Sequence, residues 1–407
     1  MHSFNPPQLS GMPANIAGIL PLSALIDFTD AEKTLHSYQL SGRGMLWNWV
    51  ITPACARVLL SNDGTGACCQ DKCDAVIPLH CIDGRWGDPY PCSSPSTIRA
   101  CMEAAALRKI DPSVLGGSGD RLQRLRIILV SRPESKKKKG LFGITKSRWY
   151  WAIVSASGLV VFLAALVTTV LARLYIAASY LVVLLLTGVV IHFSHGHRAR
   201  LIAEQPPSDY KRLIVATDNF NGDEWTAFIG PNWLVSPLLN RPLNNQTTLK
   251  NQTTLNNQTT LNPINPPTHL SLFQWLLRIL VAAQWGLTVV ACGYQNWNAF
   301  VVFAWIALCA LTSNFVYGER ASARSWLRSN ELQLKRMDVE LSCRRSMLSL
   351  LVALNPDKST KWINPILTPS DDRRAWEEAL RGCLDKGLWE EKIQECLVSS
   401  LLFHPHF

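Results

Sequence analysis

The sequence predicts an all-α membrane protein with about four transmembrane helices in two pairs, a Cys-rich N-terminal region, a small β-rich central segment and a helical C-terminal tail. Three observations carry that expectation. Between Trp149 and Ile191 the only charged residue is Arg173, and between Leu270 and Val316 the only one is Arg278. A hydrocarbon core about 30 Å thick takes roughly 20 apolar helical residues per crossing, so each stretch has the length of two spans. Lys and Arg then gather where cytosolic flanks carry them.

The expected organisation follows from these two stretches. An N-terminal region, 1–148, holds the cysteine cluster and a basic juxtamembrane block. The first transmembrane pair is 149–193 and the second 270–317, with a polar central segment at 194–269 and the tail at 318–407. No basic n-region precedes the apolar run Asn15 to Ile26, which Pro21 interrupts and Asp27, Asp30 and Glu32 follow, so an internal span is expected to act as the insertion signal.

Arg132, Lys136, Lys137, Lys138, Lys139, Lys146 and Arg148 precede the first pair; Arg198, Arg200 and Lys211 follow it; Arg320, Arg324, Arg328, Lys335 and Arg336 follow the second. The positive-inside bias therefore places the N-terminal region, the central segment and the tail in the cytosol. The chain carries a net charge of +10, but a basic block beside a span reads as topology and attraction to anionic headgroups, about 1 kcal/mol per residue near the surface. Membrane lipids are the expected partners and nucleic acid is not. In the second pair Gly293-Tyr294-Gln295-Asn296 reverses the chain, with Trp275 and Trp297 suited to the interface. The first pair has no Gly, Pro or Asn between Leu171 and Tyr175, so one long tilted helix competes with a hairpin there.

Seven of the 12 cysteines, Cys55, Cys68, Cys69, Cys73, Cys81, Cys92 and Cys101, fall in one stretch. Such density belongs to disulfides in an oxidising compartment or to a thiolate metal site in a reducing one. Zinc is the metal the cluster suits, with Cys68, Cys69, Cys73, His80 and Cys81 as candidate ligands, although paired C-x2-C knuckles are lacking and no cofactor is predicted. Reduced cysteines, some palmitoylated, are the third reading. Disulfides pull this region outside and the basic block pulls it inside; the charges, which agree at both ends of the chain, decide for the cytosol.

His192, His195 and His197 form the one histidine cluster, too few for a membrane di-iron centre and suited to a polar cap at a span end. Arg212 to Ala216 and Trp225 to Ile229 read as strands around Asn219 to Asp223, a small hairpin at the membrane. The repeat NQTTLK-NQTTLN-NQTTLN begins at Asn245 and reads as a disordered low-complexity loop. Its sequons at Asn245, Asn251 and Asn257 are acceptors only in a lumenal loop.

In the tail, Leu327, Leu334, Leu341 and Leu348 are spaced by sevens. Of their companions Asn330, Met337, Arg344 and Leu351 only two are apolar, so an amphipathic helix is expected rather than a zipper. Thr368-Pro369-Ser370-Asp371 opens a helical hairpin. Trp376, Leu380, Cys383 and Leu384 line its first arm, and Leu388 to Leu401 the second. It offers a surface for a protein partner or a second copy of the chain.

The blocks Asp27 to Leu35, Trp225 to Gly230 and Leu238 to Pro242 make the chain similar to uncharacterised polytopic membrane proteins of filamentous fungi. The resemblance covers scattered blocks, implies a membrane location, and carries no activity and no functional residues.

The leading functional reading is an integral membrane protein that organises or recruits partners, leaning away from an enzyme, since no P-loop, G-x-S-x-G, H-E-x-x-H or paired midplane acids occur. The first alternative is an oligomeric transporter or channel using the intramembrane polar residues Arg278 and Gln284 with Asn298. Arg278 lies near its span's start, where it can snorkel, with Gln274 its nearest polar neighbour. The second alternative is a membrane redox or metal-dependent enzyme built on the cysteine cluster.

Overall fold

In the computed structural model the chain divides into two compact units, each assembled from separated stretches of sequence. Residues 9–27, 30–42, 44–60, 71, 77–108, 123–133, 141–195, 202, 205–241, 243, 268–316, 318–341 and 343–385 are described. Cys68, Cys69, Cys73, His197, the Asn245, Asn251 and Asn257 sequons and the second arm of the C-terminal hairpin lie outside them.

The fold is not all-α. One unit, Ile77–Arg132 with Ile202–Pro242 and Glu331–Phe407, is built on a seven-stranded mixed sheet. Its strands are β1 (His80–Asp83), β2 (Pro89–Pro91), β3 (Ala106–Arg108), β4 (Gln123–Ser131), β5 (Lys211–Thr217), β6 (Glu224–Pro231) and β7 (Gln333–Leu341). They lie in the order β2-β1-β5-β6-β4-β7-β3. β4 runs parallel to β6, from Arg124 opposite Glu224 to Leu129 opposite Ile229, and antiparallel to β7, from Gln123 opposite Leu341 to Ser131 opposite Gln333.

The expected hairpin at 211–229 exists, but not as a small membrane element. β5 and β6 pair antiparallel, Lys211 opposite Pro231 through Ala216 opposite Thr226, in the middle of the sheet. A lone hairpin is at best marginally stable in water; these strands bury both faces. On one face Ile82, Val215, Trp225, Ala227, Ile127 and Val339 meet the helix Arg344–Leu354, the short 3-10 turn Lys361–Ile363 and the helix Asp371–Asp385. The helix Asn232–Asn240, entered directly from β6, packs on β6, β5 and β4.

The heptad of leucines is likewise no helix. Leu327 lies in the last turn of one helix, Leu334 and Leu341 lie in β7, and Leu348 lies in the next helix. Over Met337-Asp338-Val339-Glu340-Leu341 burial alternates residue by residue. This period of two places Met337, Val339 and Leu341 on the core face, and it overrides the spacing of seven. The Asp371–Asp385 helix starts later than expected: its cap is Ser370, whose Oγ accepts the Arg373 N–H at 3.2 Å.

The other unit joins Met1–Val76, Pro133–Leu201 and Leu243–Asn330. Its helices are α1 (Met12–Ala17), α2 (Leu20–Asp27), α3 (Ala31–Ser41), α4 (Pro53–Leu60), α6 (Leu141–Leu171), α7 (Tyr175–His195), α9 (Thr268–Tyr294), α10 (Trp297–Val316) and α11 (Glu319–Ser329); α5 (Pro95–Ala104), α8 (Asn232–Asn240), α12 (Arg344–Leu354) and α13 (Asp371–Asp385) belong to the sheet unit. Four stretches, Ile153–Leu171, Tyr175–Ser194, Leu272–Tyr294 and Trp297–Phe315, are long and apolar enough to cross a membrane, consistent with a membrane protein.

The first pair is a hairpin even without a helix breaker. Arg173 turns the chain at φ 59°. Phe162, well before that turn, shares one core with Tyr180 and Leu184, well after it. Gln295, at φ 47°, makes the corresponding turn between α9 and α10.

Candidate functional site

Within the helical unit a stretch without regular structure, Gly44–Thr52, runs between α3 and α4 and is largely buried. In apolar surroundings each of its N–H and C=O groups needs an internal partner. Neighbouring helices supply several of them. Gln284, 1% exposed, donates from Nε2 to the Trp49 carbonyl at 3.1 Å and to Thr187 Oγ1 at 2.8 Å. Its Oε1 accepts the Ile51 N–H at 3.2 Å, and Trp285 Nε1 donates to the Ile51 carbonyl at 2.8 Å. Asn48 Nδ2 donates to Ser313 Oγ at 3.1 Å.

Two glycines make room for the segment. A Cβ on Gly188 of α7 would stand 1.9 Å from the Leu46 carbonyl oxygen, and one on Gly158 of α6 would stand 2.2 Å from the Trp47 ring. Both distances are below any tolerable contact, so only glycine admits the main chain and the indole there. Trp47 packs edge-on against Trp305, which packs edge-on against Phe162. The result is a closed polar seam: an amide deep in the helical unit that holds the extended segment through one donor and its acceptor oxygen, at Trp49 and Ile51, and spends its second donor on Thr187 of α7.

The other intramembrane candidates fall elsewhere. Asn298 is also buried, its Oδ1 accepting the Ala177 N–H at 3.1 Å and its Nδ2 donating to Asn296 Oδ1 at 2.9 Å, which ties the start of α10 to the start of α7. Arg278 is half-buried with its guanidinium 5.2 Å from the Trp275 ring centroid one turn earlier, so an aromatic face rather than Gln274 is its neighbour. His192 Nδ1 lies 2.9 Å from the Tyr38 hydroxyl, and His195 ends α7.

The cysteine stretch does not form one domain: Cys55 belongs to α4 in the helical unit, whereas Cys81, Cys92 and Cys101 belong to the sheet unit. These four are buried free thiols. His80 and Cys81, both candidate zinc ligands, are consecutive in β1 and so point to opposite faces. His80 packs at a tilt against Phe220, with ring centroids 5.3 Å apart, while Cys81 hydrogen-bonds Cys92. Among the described residues no three His, Cys, Asp or Glu side chains gather as a metal site.

A second polar cluster, absent from the sequence reading, sits in the sheet unit. Arg212 of β5 pairs with Asp83 of β1, and its guanidinium also donates to Asn232 Oδ1 at 2.9 Å and Ser236 Oγ at 3.3 Å. Burial works against the Arg212 charge, but the Asp83 carboxylate outweighs it and holds the guanidinium above its usual range. Arg85 stacks between Trp86 and Tyr210, and the Tyr210 hydroxyl donates to Asp357. Burial, then the Asp357 hydrogen bond, raise the Tyr210 phenol. Asp83 and Arg212 lie too far apart in sequence for any spacing rule to pair them. Gly158 and Gly188 were missed as well; the signal that could have found them is a glycine inside an apolar helix of membrane length.

Known protein families, curated proteins and solved structures offer no match to this chain. Among the described residues, fold and site together define four membrane-length apolar helices, a buried extended segment locked among them, and a mixed α/β sheet unit.

Proposed function

We propose that this is a multi-pass membrane protein with a non-enzymatic, partner-recruiting role, in which two helical hairpins anchor the α/β unit at the cytosolic face. The observation that carries the membrane topology in this reading is strand pairing. β4 precedes the first hairpin, β6 lies between the hairpins and β7 follows the second, yet β4 pairs with both β6 and β7. Strands of one sheet share one compartment, so each intervening hairpin returns to the side it left. A single long span over 149–191 would separate β4 from β6. The Lys and Arg flanking the hairpins favour the cytosol for that side.

Gln284 supports an anchoring role over a transport one. Its donors are spent on the Trp49 carbonyl and Thr187 rather than facing an open path. The α/β unit, interleaved with the spans, is then the part offered to partners, with lipid around the apolar helices.

In sealed microsomes, added protease is expected to remove a C-terminal tag and a tag at the Asn245 repeat without detergent, and N-glycosidase to leave gel mobility unchanged. A protected repeat, or a downshift lost on replacing Asn245, Asn251 and Asn257 by Gln, refutes the placement. Selective solute flux by the purified protein in liposomes, or turnover of a lipid or thiol substrate, refutes the recruiting role.

A further inference from the structure

The helices α1, α2 and α3 follow the helical unit from one end to the other. Gly18 lies at the turn between α9 and α10, where its Cβ would stand 3.2 Å from the Gln295 side-chain nitrogen. Ala24 and Leu25 share a core with Ala291, Val302 and Ile306, farther along both helices. Asp30, Ala31 and Thr34 border a small pocket with Cys309 and Ser313, near the end of α10. Tyr38 reaches His192, near the end of α7 remote from its turn. Contact thus advances steadily from the hairpin turns to the ends that lead toward the sheet strands.

The surface of its first part, Met12–Ile26, matches that path, while the exposed Asp30 and Lys33 beyond it form an ion pair at 3.0 Å. Met12, Ile16, Ile19, Leu22 and Ile26 are exposed while Ala17, Ala24 and Leu25 are buried, so the outward side is as apolar as the inward one. That is the pattern of a helix facing lipid, not water. No Asp, Glu, Lys or Arg precedes Asp27, and the first Lys or Arg is Lys33. Met12–Ile26 and Ala31–Ser41 are together long and apolar enough for one span, bent by 42° between them.

We infer that Met12–Ser41 crosses the bilayer as a fifth, broken span, so that residues ahead of Met12 face the compartment opposite the sheet unit, and that Gly44–Thr52 then re-enters the bundle without crossing. The inference rests on the multi-pass reading above. A non-helical segment at membrane depth is tolerated only where protein satisfies its backbone; Gln284 and Trp285 do so at Trp49 and Ile51. Residues 1–32 hold no Lys or Arg, and Lys33 with the basic residues beyond it favours the cytosolic side for the α3 end of the span. The N-terminal region read from charge as wholly cytosolic is thereby divided: its first residues cross over, and the segment from Ile77 stays with the sheet.

The test uses the full chain with a hydrophilic extension ahead of Met1 that carries an epitope and an N-x-T acceptor, and a second epitope after Phe407. In sealed microsomes the expected result is a glycosylated, protease-protected N-terminal epitope alongside a C-terminal epitope removed by protease. Removal of both epitopes from carbonate-resistant protein overturns the fifth span and leaves the two-hairpin reading standing. Release of the protein by carbonate overturns both. Because an extension could itself alter insertion, Lys substitutions at Ser10 and Gly11 with the same C-terminal epitope provide a second measurement. Labelling of these amines by a membrane-impermeant reagent only after the vesicles are opened supports the inference, and labelling in intact vesicles overturns it.

Discussion

Replacing Gln284 by Leu tests the seam most directly. Leucine has nearly the same volume, so the cavity term is small and the loss is polar. The substitution removes three hydrogen bonds, at 3.1, 2.8 and 3.2 Å, and strands the Trp49 carbonyl and the Ile51 N–H in apolar surroundings. Side-chain hydrogen bonds inside membrane proteins average about 0.6 kcal/mol each, and a buried backbone group left without a partner costs roughly 1–3 kcal/mol. With two such groups stranded, Gln284→Leu is therefore expected to destabilise by about 2–6 kcal/mol. Thr187→Val strands no backbone group of the extended segment and should lose about 1 kcal/mol or less. Thermal unfolding in detergent, followed by tryptophan fluorescence, measures both. Limited proteolysis mapped by mass spectrometry should cut between Gly44 and Thr52 in the Leu variant alone. An unchanged midpoint with an uncut segment, or a Thr187→Val loss equal to that of Gln284→Leu, would refute the reasoning.

Other outcomes follow from the same geometry. Gly188→Ala drives a methyl into the Leu46 carbonyl and is expected to cost about 1–3 kcal/mol, whereas Gly286→Ala, with nothing within 4 Å of the new Cβ, should leave the melting midpoint unmoved; equal shifts would show that Gly188 does not seat the segment. Arg212→Leu leaves Asp83 unpaired at 5% exposure, at a cost of about 3–5 kcal/mol, while the double change with Asp83→Leu should lose much less; a double variant as unstable as the single would argue against pairing as the cause. Burial pushes the Cys101 thiol up, and the Cys92 hydrogen bond followed by burial does the same for Cys81. Their folded forms hold protons more tightly than the unfolded chain, so the stability they contribute is whole below the ordinary thiol value of about 8.5 and is lost as pH rises above it. Chemical denaturation read by circular dichroism should show a lower midpoint at alkaline pH, with less pH dependence in Cys101→Ala. Alkylation of the native protein should mark exposed Cys343 before either. Arg278→Lys is expected to be silent and Arg278→Leu to insert at least as well, as befits a side chain resting on Trp275; failed assembly of the Leu variant, scored by native electrophoresis, would assign Arg278 a contact between spans.

The sequence by itself determined the apolar helices, because lipid imposes a length and an absence of charge that can be read in one window. It also located the β5 and β6 strands, the turn at Gln295, and Gln284 as an odd residue in an apolar run. It did not determine the sheet. Ile127 to Val130 in β4 is a short apolar run buried on both faces, which periodicity cannot tell from buried helix. The strands it pairs with lie beyond one hairpin and beyond two. The leucines at 334 and 341 suggested a helix for as long as the alternation within β7 had no sheet to bury against. Gln284 shows the same limit at the level of one side chain. Composition marked it as polar and out of place, but its partners Trp49 and Ile51 stand 235 and 233 residues away. Only tertiary structure could decide whether that amide faces a path or holds a segment, because a hydrogen bond depends on distance in space, and chain separation this long leaves no local trace of it.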